Sequence, residues 1–123
     1  MIRPCFLVVD RDYPGNISTR KLVIETAKLN VVTAYSGREA IETLRTFPNL
    51  NGVVADTGIE DIPFDELVRS LKAIRPDVPV VAISTPRYGG SELADYQLDS
   101  FEPEKLLKLL NKIKPMEQQA SES

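Results

Sequence analysis

The sequence predicts an α/β domain built on a doubly wound, five-stranded parallel sheet of order 2-1-3-4-5. Three observations carry this. Short runs rich in valine and isoleucine alternate with stretches in which apolar residues recur at helical spacing. The runs are apolar throughout rather than alternating, as in strands buried on both faces. Two of them, at 6–9 and 52–55, end abruptly in a carboxylate, Asp10 and Asp56. In open α/β sheets ligands bind in the crevice beyond the carboxyl ends of the strands. Right-handed crossovers leave few topologies. The 2-1-3-4-5 order makes the first and third strands neighbours, so Asp10 and Asp56 end side by side. The fourth strand lies next to the third and brings Ser84 to the same edge.

Taken in order, 6–9 is the first strand, delivering Asp10-Arg11-Asp12 to its end, and Pro14-Gly15-Asn16 is a turn. Ile17, Leu22, Ile24 and Ala27 form a loose helical stripe reaching to Leu29. Val31-Val32-Thr33-Ala34 is β-branched and strand-like. Ser36-Gly37-Arg38-Glu39 satisfies the capping box, with Ser36 as N-cap and Glu39 three residues on. Ala40, Ile41, Leu44 and Phe47 line one face of the helix that follows, and Pro48 and Asn49 stop it. After the 52–55 strand, Asp61-Ile62-Pro63 opens a helix with Pro63 near its first turn. Phe64, Leu67, Val68, Leu71 and Ile74 keep the i, i+3, i+4, i+7 pattern until Pro76.

Residues 80–83 are the fourth strand, stopped by Ser84-Thr85-Pro86. Tyr88-Gly89-Gly90-Ser91 is a loop, too short for a phosphate-binding glycine loop. Residues 92–95 have room for one helical turn, and 96–98 is a weak fifth strand. Only residues 85–95 separate Ser84 from Tyr96, and they include Pro86, Gly89 and Gly90. A crossover with its helix needs at least about 10–12 residues, so the fourth helix of the alternation is shortened or missing. Pro103 opens the last helix, with Leu106, Leu107, Leu110 and Ile113 on one face, ended by Pro115. The expected domain is 1–115, with a polar, disordered tail at 116–123.

Composition excludes several classes of function. The chain of 123 residues suits one domain. Its net charge of −3 argues against nucleic acid as a main partner, because phosphate binding needs a basic face. No apolar run approaches the length of a membrane span, and the first residues lack the apolar centre of a signal peptide. The single cysteine, Cys5, makes no internal disulfide and reads as a buried core thiol, which suits a reducing cytoplasm. There is no histidine, which removes imidazole bases, Ser-His triads and most zinc sites. Chemistry must run on carboxylates, hydroxyls, Lys, Arg and a hard cation. Alone, Asp56 before Thr57-Gly58 is also ordinary turn chemistry; its place in the crevice is what raises it to a candidate site.

From Phe6 to Ile113 the sequence resembles the receiver domain of bacterial two-component response regulators, which has a flavodoxin-like fold. The resemblance rests on Phe6-Leu7-Val8-Val9-Asp10, Ala34-Tyr35-Ser36-Gly37-Arg38-Glu39-Ala40, Val53-Val54-Ala55-Asp56, Pro79-Val80-Val81-Ala82-Ile83-Ser84 and Phe101-Glu102-Pro103-Glu104-Lys105-Leu106-Leu107. The second and last are the most specific. It implies that Asp56 is the phosphoacceptor, that Asp10 and Asp56 help hold Mg²⁺ with the backbone carbonyl of Gly58, and that the hydroxyl of Ser84 follows the phosphoryl group. It implies a sensor histidine kinase or other signalling proteins as partners and no organic cofactor; charge and hydropathy already point to no nucleic acid and no membrane. Tyr96 falls near the aromatic position that changes rotamer in many receivers.

Two functional positions depart from the family pattern. Arg11 stands where the second metal-binding acid is expected, and Asp99 where the family has a lysine; Glu60 also replaces a common proline. Asp12 is the alternative third acid, one residue further on. Losing an acid weakens a Mg²⁺ site, whose affinity follows the number of charged oxygen ligands. Asp99 beside Asp10 and Asp56 adds like-charge repulsion. An inward Arg11 would neutralise the pocket, and a solvent-facing Arg11 is the equal alternative.

The expectation is therefore a degenerate, stand-alone receiver-like protein that is not an enzyme and acts through protein–protein contact. Its partner surface shifts away from the shortened or missing fourth helix. An ordinary receiver phosphorylated on Asp56 by a histidine kinase is one rival. A small-molecule binder using the same crevice is another; the lack of tryptophan and the few aromatic residues weigh against flavin.

Overall fold

The computed structural model describes residues 4–10, 19–84, 89, 91–98 and 102–113. Its elements follow as β1 (Cys5–Val9), α1 (Thr19–Thr26), β2 (Asn30–Ala34), α2 (Gly37–Thr46), β3 (Gly52–Asp56), α3 (Phe64–Ile74), β4 (Val80–Ile83), β5 (Tyr96–Leu98) and α4 (Pro103–Ile113). The sheet is five-stranded, in the order β2-β1-β3-β4-β5, and every pairing is parallel.

Alternate residues of β1 to β4 feed two separate cores, and β5 contributes to one of them. Leu7, Val9, Val53, Ala55 and Val80 pack with Ala40 and Leu44 of α2 and Leu67, Val68 and Leu71 of α3. Phe6, Val8, Val54, Val81, Ile83 and Leu98 pack with Ile24 of α1 and Leu106 and Leu110 of α4. A fully buried Leu or Ile at such a position contributes roughly 1.5–3 kcal/mol relative to exposure. All five residues of β3 are buried, because it lies at the centre of the sheet with helices on both faces. The edge strand β2 is mostly half-buried. Cys5 is half-buried against the first core rather than enclosed, and its burial still pushes the thiol above its ordinary value.

Helix ends account for most departures from the expected pattern. α1 stops at Thr26 and closes with a Schellman arrangement. The N–H of Leu29 donates to the carbonyl of Ile24 at 3.3 Å and that of Lys28 to Glu25 at 2.9 Å. Ile24 and Leu29 then meet in the second core. Ala27 lies in this turn and is exposed, so it does not belong to the buried stripe; Ile17 and the side chain of Leu22 lie outside the described residues. Lys28 has φ 65°, the left-handed region usually given to glycine. Phe47 is the C-cap of α2 and is 52% exposed, off the face shared by Ala40, Ile41 and Leu44. In α4 it is Leu109, not Leu107, that joins Leu106, Leu110 and Ile113 against the core. α3 has Pro63 as its N-cap, with Asp65 and Glu66 complementing the dipole in the first turn. At its C-cap, the guanidinium of Arg75 donates to the carbonyls of Pro48 and Leu50, tying α3 to the α2–β3 turn.

The described residues between β4 and β5 contain no helix. Polar clips hold this stretch to α3 instead. Ser91 donates its hydroxyl to Asp65 and accepts the N–H of Leu93. Lys72 reaches the carbonyl of Val78 at 3.0 Å and the carboxylate of Asp95 at 2.8 Å, and that carboxylate also accepts the N–H of Val80. The tail at 116–123, with the domain end at 115, lies outside the described residues.

A left-handed residue other than glycine costs roughly 1–2 kcal/mol per position. Lys28 is exposed, so Lys28→Gly should stabilise the fold by about 1 kcal/mol, since relief of this strain exceeds the added chain entropy. Urea denaturation checks this. An unchanged or lower midpoint would refute the reading of the α1 terminus.

Candidate functional site

The site is set by strand register. β1 and β3 pair Val9 with Ala55, so the next residue of each, Asp10 and Asp56, is delivered to adjacent positions at the carboxyl edge. β3 and β4 pair Asp56 with Ile83, and Ser84 follows directly. Backbone bonds carry the sheet one step further at each point. The N–H of Asp10 donates to Ala34 at 2.9 Å, that of Thr57 to Ile83 at 3.1 Å, and that of Ser84 to Leu98 at 2.9 Å. Asp10 and Asp56 are only 1% and 2% exposed, unusual for carboxylates in a protein of this size. Asp56 Oδ1 accepts the N–H of Gly58 at 2.7 Å. The turn chemistry and the crevice position thus belong to the same side chain. Ser84 donates its hydroxyl to the carbonyl of Leu98 at 3.1 Å, towards β5.

Two carboxylates and a backbone carbonyl are hard oxygen donors of the kind Mg²⁺ takes. They form a sparse set, because Asp56 Oδ1 is already engaged by Gly58. Among the described residues, no group of three or more His, Cys, Asp or Glu is arranged to hold a metal ion. Asp10, Asp56 and the carbonyl of Gly58 are the groups that would hold such an ion, which would supply positive charge beside the two carboxylates. Arg11 and Asp99, the two functional positions that depart from the family pattern, lie outside the described residues, as does Asp12.

The sequence matches no protein-family model and no curated protein. Solved structures do match. A response regulator receiver domain protein from Clostridium thermocellum is similar with a TM-score of 0.80 at 18% identity, over 95% of this chain and 98% of that one. A CheY-like receiver domain protein from Methanospirillum hungatei JF-1 gives 0.78 at 21% identity, over 96% and 99%. A CheY-like receiver domain from Methylobacillus flagellatus gives 0.77 at 23% identity, over 92% and 100%. The chain has the fold of a response regulator receiver domain.

Within this receiver fold, the Ala-x-x-Gly-x-Glu-Ala segment acquires a physical reason. Ser36 accepts the N–H of Glu39 at 3.0 Å, and Glu39 reaches back to the N–H of Tyr35 at 3.3 Å. Gly37 is a glycine because a Cβ there would lie 2.6 Å from Cγ1 of Ile62 and 3.2 Å from Cδ1 of Ile59. The loop that follows Asp56 is therefore seated against the start of α2.

Asp61 completes the seat, and sequence reasoning had assigned it to the start of α3. Its carboxylate accepts the N–H of Gly37 at 2.8 Å and that of Arg38 at 2.9 Å, the first two residues of α2. A carboxylate at a helix N-terminus answers both unpaired donors and the positive end of the dipole. Desolvation pushes its carboxyl up, but the N–H donors of Arg38, Gly37, Ile62 and its own residue outweigh this and hold it below its ordinary 3.8. The only sequence signal for this role was the pairing of Asp61 with a glycine more than twenty residues upstream, which no local pattern exposes.

Two outcomes follow from this geometry. Gly37→Ala should destabilise the fold by about 1–3 kcal/mol through overpacking against Ile62, although alanine is the better helix former. An unchanged thermal midpoint would show that the loop yields freely. Asp61 is more charged in the folded than in the unfolded chain below its ordinary value, so its contribution is present above pH 3.8 and lost as pH falls through the lowered folded value. Asp61→Asn should therefore flatten part of the acid limb of stability against pH, read by urea midpoints above and below that value. An acid limb identical to wild type would contradict it.

Proposed function

We propose that this chain is a receiver-type module of two-component phosphorelay signalling, with Asp56 at the phosphoacceptor position. It is not an enzyme with a substrate of its own; it acts through contacts with a sensor histidine kinase or other signalling proteins. The observation that carries this reading is the convergence of Asp10, Asp56 and Ser84 on adjacent positions at the carboxyl edge of a 2-1-3-4-5 sheet.

In phosphoryl transfer, an oxygen of Asp56 attacks the donor phosphorus, a P–O bond to the carboxylate forms, and the bond to the leaving group breaks with its electron pair. The N–H of Gly58 holds the carboxylate in orientation. Mg²⁺, when bound, supplies the positive charge that lets an anionic nucleophile approach an anionic phosphoryl group. Ser84 must give up its bond to Leu98 to reach a phosphoryl oxygen on Asp56, and this sets a cost on the response.

Arg11 and Asp99 favour a degenerate version of this chemistry. A guanidinium in place of an acid removes a metal ligand, and an acid in place of lysine removes the charge that stabilises a phosphoryl-aspartate. Arg11 is proposed to turn inwards and pair with Asp56 or Asp99, holding the domain in one state. Contact with partners then falls on α1, α4 or the stretch between β4 and β5, which Ser91 and Asp95 clip to α3.

Incubation with a small acyl phosphate and Mg²⁺ tests the central assignment. A slow phosphoryl mass shift is expected, abolished by Asp56→Asn. The double change Arg11→Asp with Asp99→Lys should speed it and strengthen Mg²⁺ binding, followed by amide shifts at residues 10–12 and 56–58. Wild type that already reacts as fast as the double variant would sink the degenerate reading. A mass shift that survives Asp56→Asn would sink the site.

A further inference from the structure

The seven residues after β3, 57–63, lead from the candidate phosphoacceptor to the start of α3; beyond the bond of Thr57 to Ile83 that continues the sheet, two contacts of carboxylates hold them. At one, Asp56 Oδ1 holds the N–H of Gly58. At the other, the carboxylate of Asp61 bridges the N–H groups of Gly37 and Arg38. Between them, Ile59 is buried, and Ile59 and Ile62 flank the bare face of Gly37. The α2 terminus does not need Asp61 for all its capping: Ser36 already takes the N–H of Glu39. Asp61 spends its carboxylate on the remaining donors of an element that is not its own, and the effect is to fix the loop.

We infer that Asp61 is a positioning residue for Asp56, anchoring the loop that carries Gly58 to the N-terminus of α2. This rests on Asp56 being the phosphoacceptor. The physical argument is one of geometry. Gly58 orients the Asp56 carboxylate through a single N–H, and its carbonyl is a candidate metal ligand. Gly58 lies three residues from Asp61, so freedom at Asp61 is transmitted to the reacting carboxylate. Small errors of placement at a reacting group cost large factors in rate.

Three variants separate positioning from helix capping. Asp61→Ala removes the anchor. Asp61→Asn keeps an oxygen acceptor for one of the two N–H groups. Ser36→Ala weakens the same helix terminus without touching the loop. Each is read in two ways: phosphoryl uptake from an acyl phosphate with Mg²⁺, and hydrogen exchange of the Gly58 amide against that of Val54 in the sheet. Asp61→Ala should slow uptake about tenfold and release the Gly58 amide while Val54 stays protected; Asp61→Asn should restore part of both; Ser36→Ala should stay within about twofold of wild type. Equal losses in Asp61→Ala and Ser36→Ala would reduce Asp61 to a helix cap and overturn the inference, as would an Asp61→Ala protein unchanged in either reading. Should Asp61→Ala not fold, Asp61→Asn against Ser36→Ala decides by the same comparison. A wild type that takes no phosphoryl group refutes the phosphoacceptor assignment instead. The Gly58 exchange then decides alone: selective release in the Asp61 variants upholds the anchor, and its absence refutes it.

Discussion

Burial of β3 on both faces is the constraint from which the rest of the arrangement follows. A central parallel strand covered by α2 and α3 on one side and by α1 and α4 on the other has no position along its length that tolerates an unpartnered charge. A carboxylate can stand only at the strand's end, where backbone donors of the next turn reach it. Asp56 occupies that end and takes the N–H of Gly58. Its neighbours Asp10 and Ser84 stand at the ends of β1 and β4 for the same reason. The hydrophobic demand of the sheet and the location of the site are thus one fact.

That end is also where the chain must leave the sheet and enter α3, and the departure is controlled. Ile59 and Ile62 would be poor loop residues if the loop faced water. They are accommodated because Gly37 leaves a hollow at the α2 terminus, and Asp61 then matches the donors exposed beside that hollow. Apolar packing and a charge-assisted contact act on the same few residues. The region next to Asp56 is held by packing against a second helix as well as by its own turn.

The opposite side of the site is built differently. Where a helix would complete the alternation between β4 and β5, residues 91–95 run as turns held by Ser91, Asp95 and their partners on α3. Lys72 and Asp95 are partly exposed, so their pairing contributes modestly. The carboxylate of Asp95 also satisfies the N–H of Val80 at the start of β4, a structural role that a surface ion pair lacks. Among the described residues this flank is formed by turns, beside a β5 of only three residues.

Periodicity in the sequence was sufficient for the strands and helices, and their order with the handedness of crossovers was sufficient for the topology. The meeting of Asp10, Asp56 and Ser84 followed, because residues at strand ends inherit their neighbours from strand order. The capping box at Ser36 and Glu39 was legible because both partners lie within one turn. Helix ends and one helix face were less so: Lys28 closes α1 in a left-handed conformation with no glycine to announce it, Phe47 falls beyond the last turn of its helix, and Leu109 replaces Leu107 on the buried face of α4. What only the tertiary structure decided were the contacts of Asp61 with Gly37 and Arg38 and of Ser91 with Asp65, spanning 24, 23 and 26 residues. A hydrogen bond requires two groups within about 3 Å. A local pattern fixes such distances only within a turn or along a helix face, whereas across the sheet they depend on how each helix settles against its core.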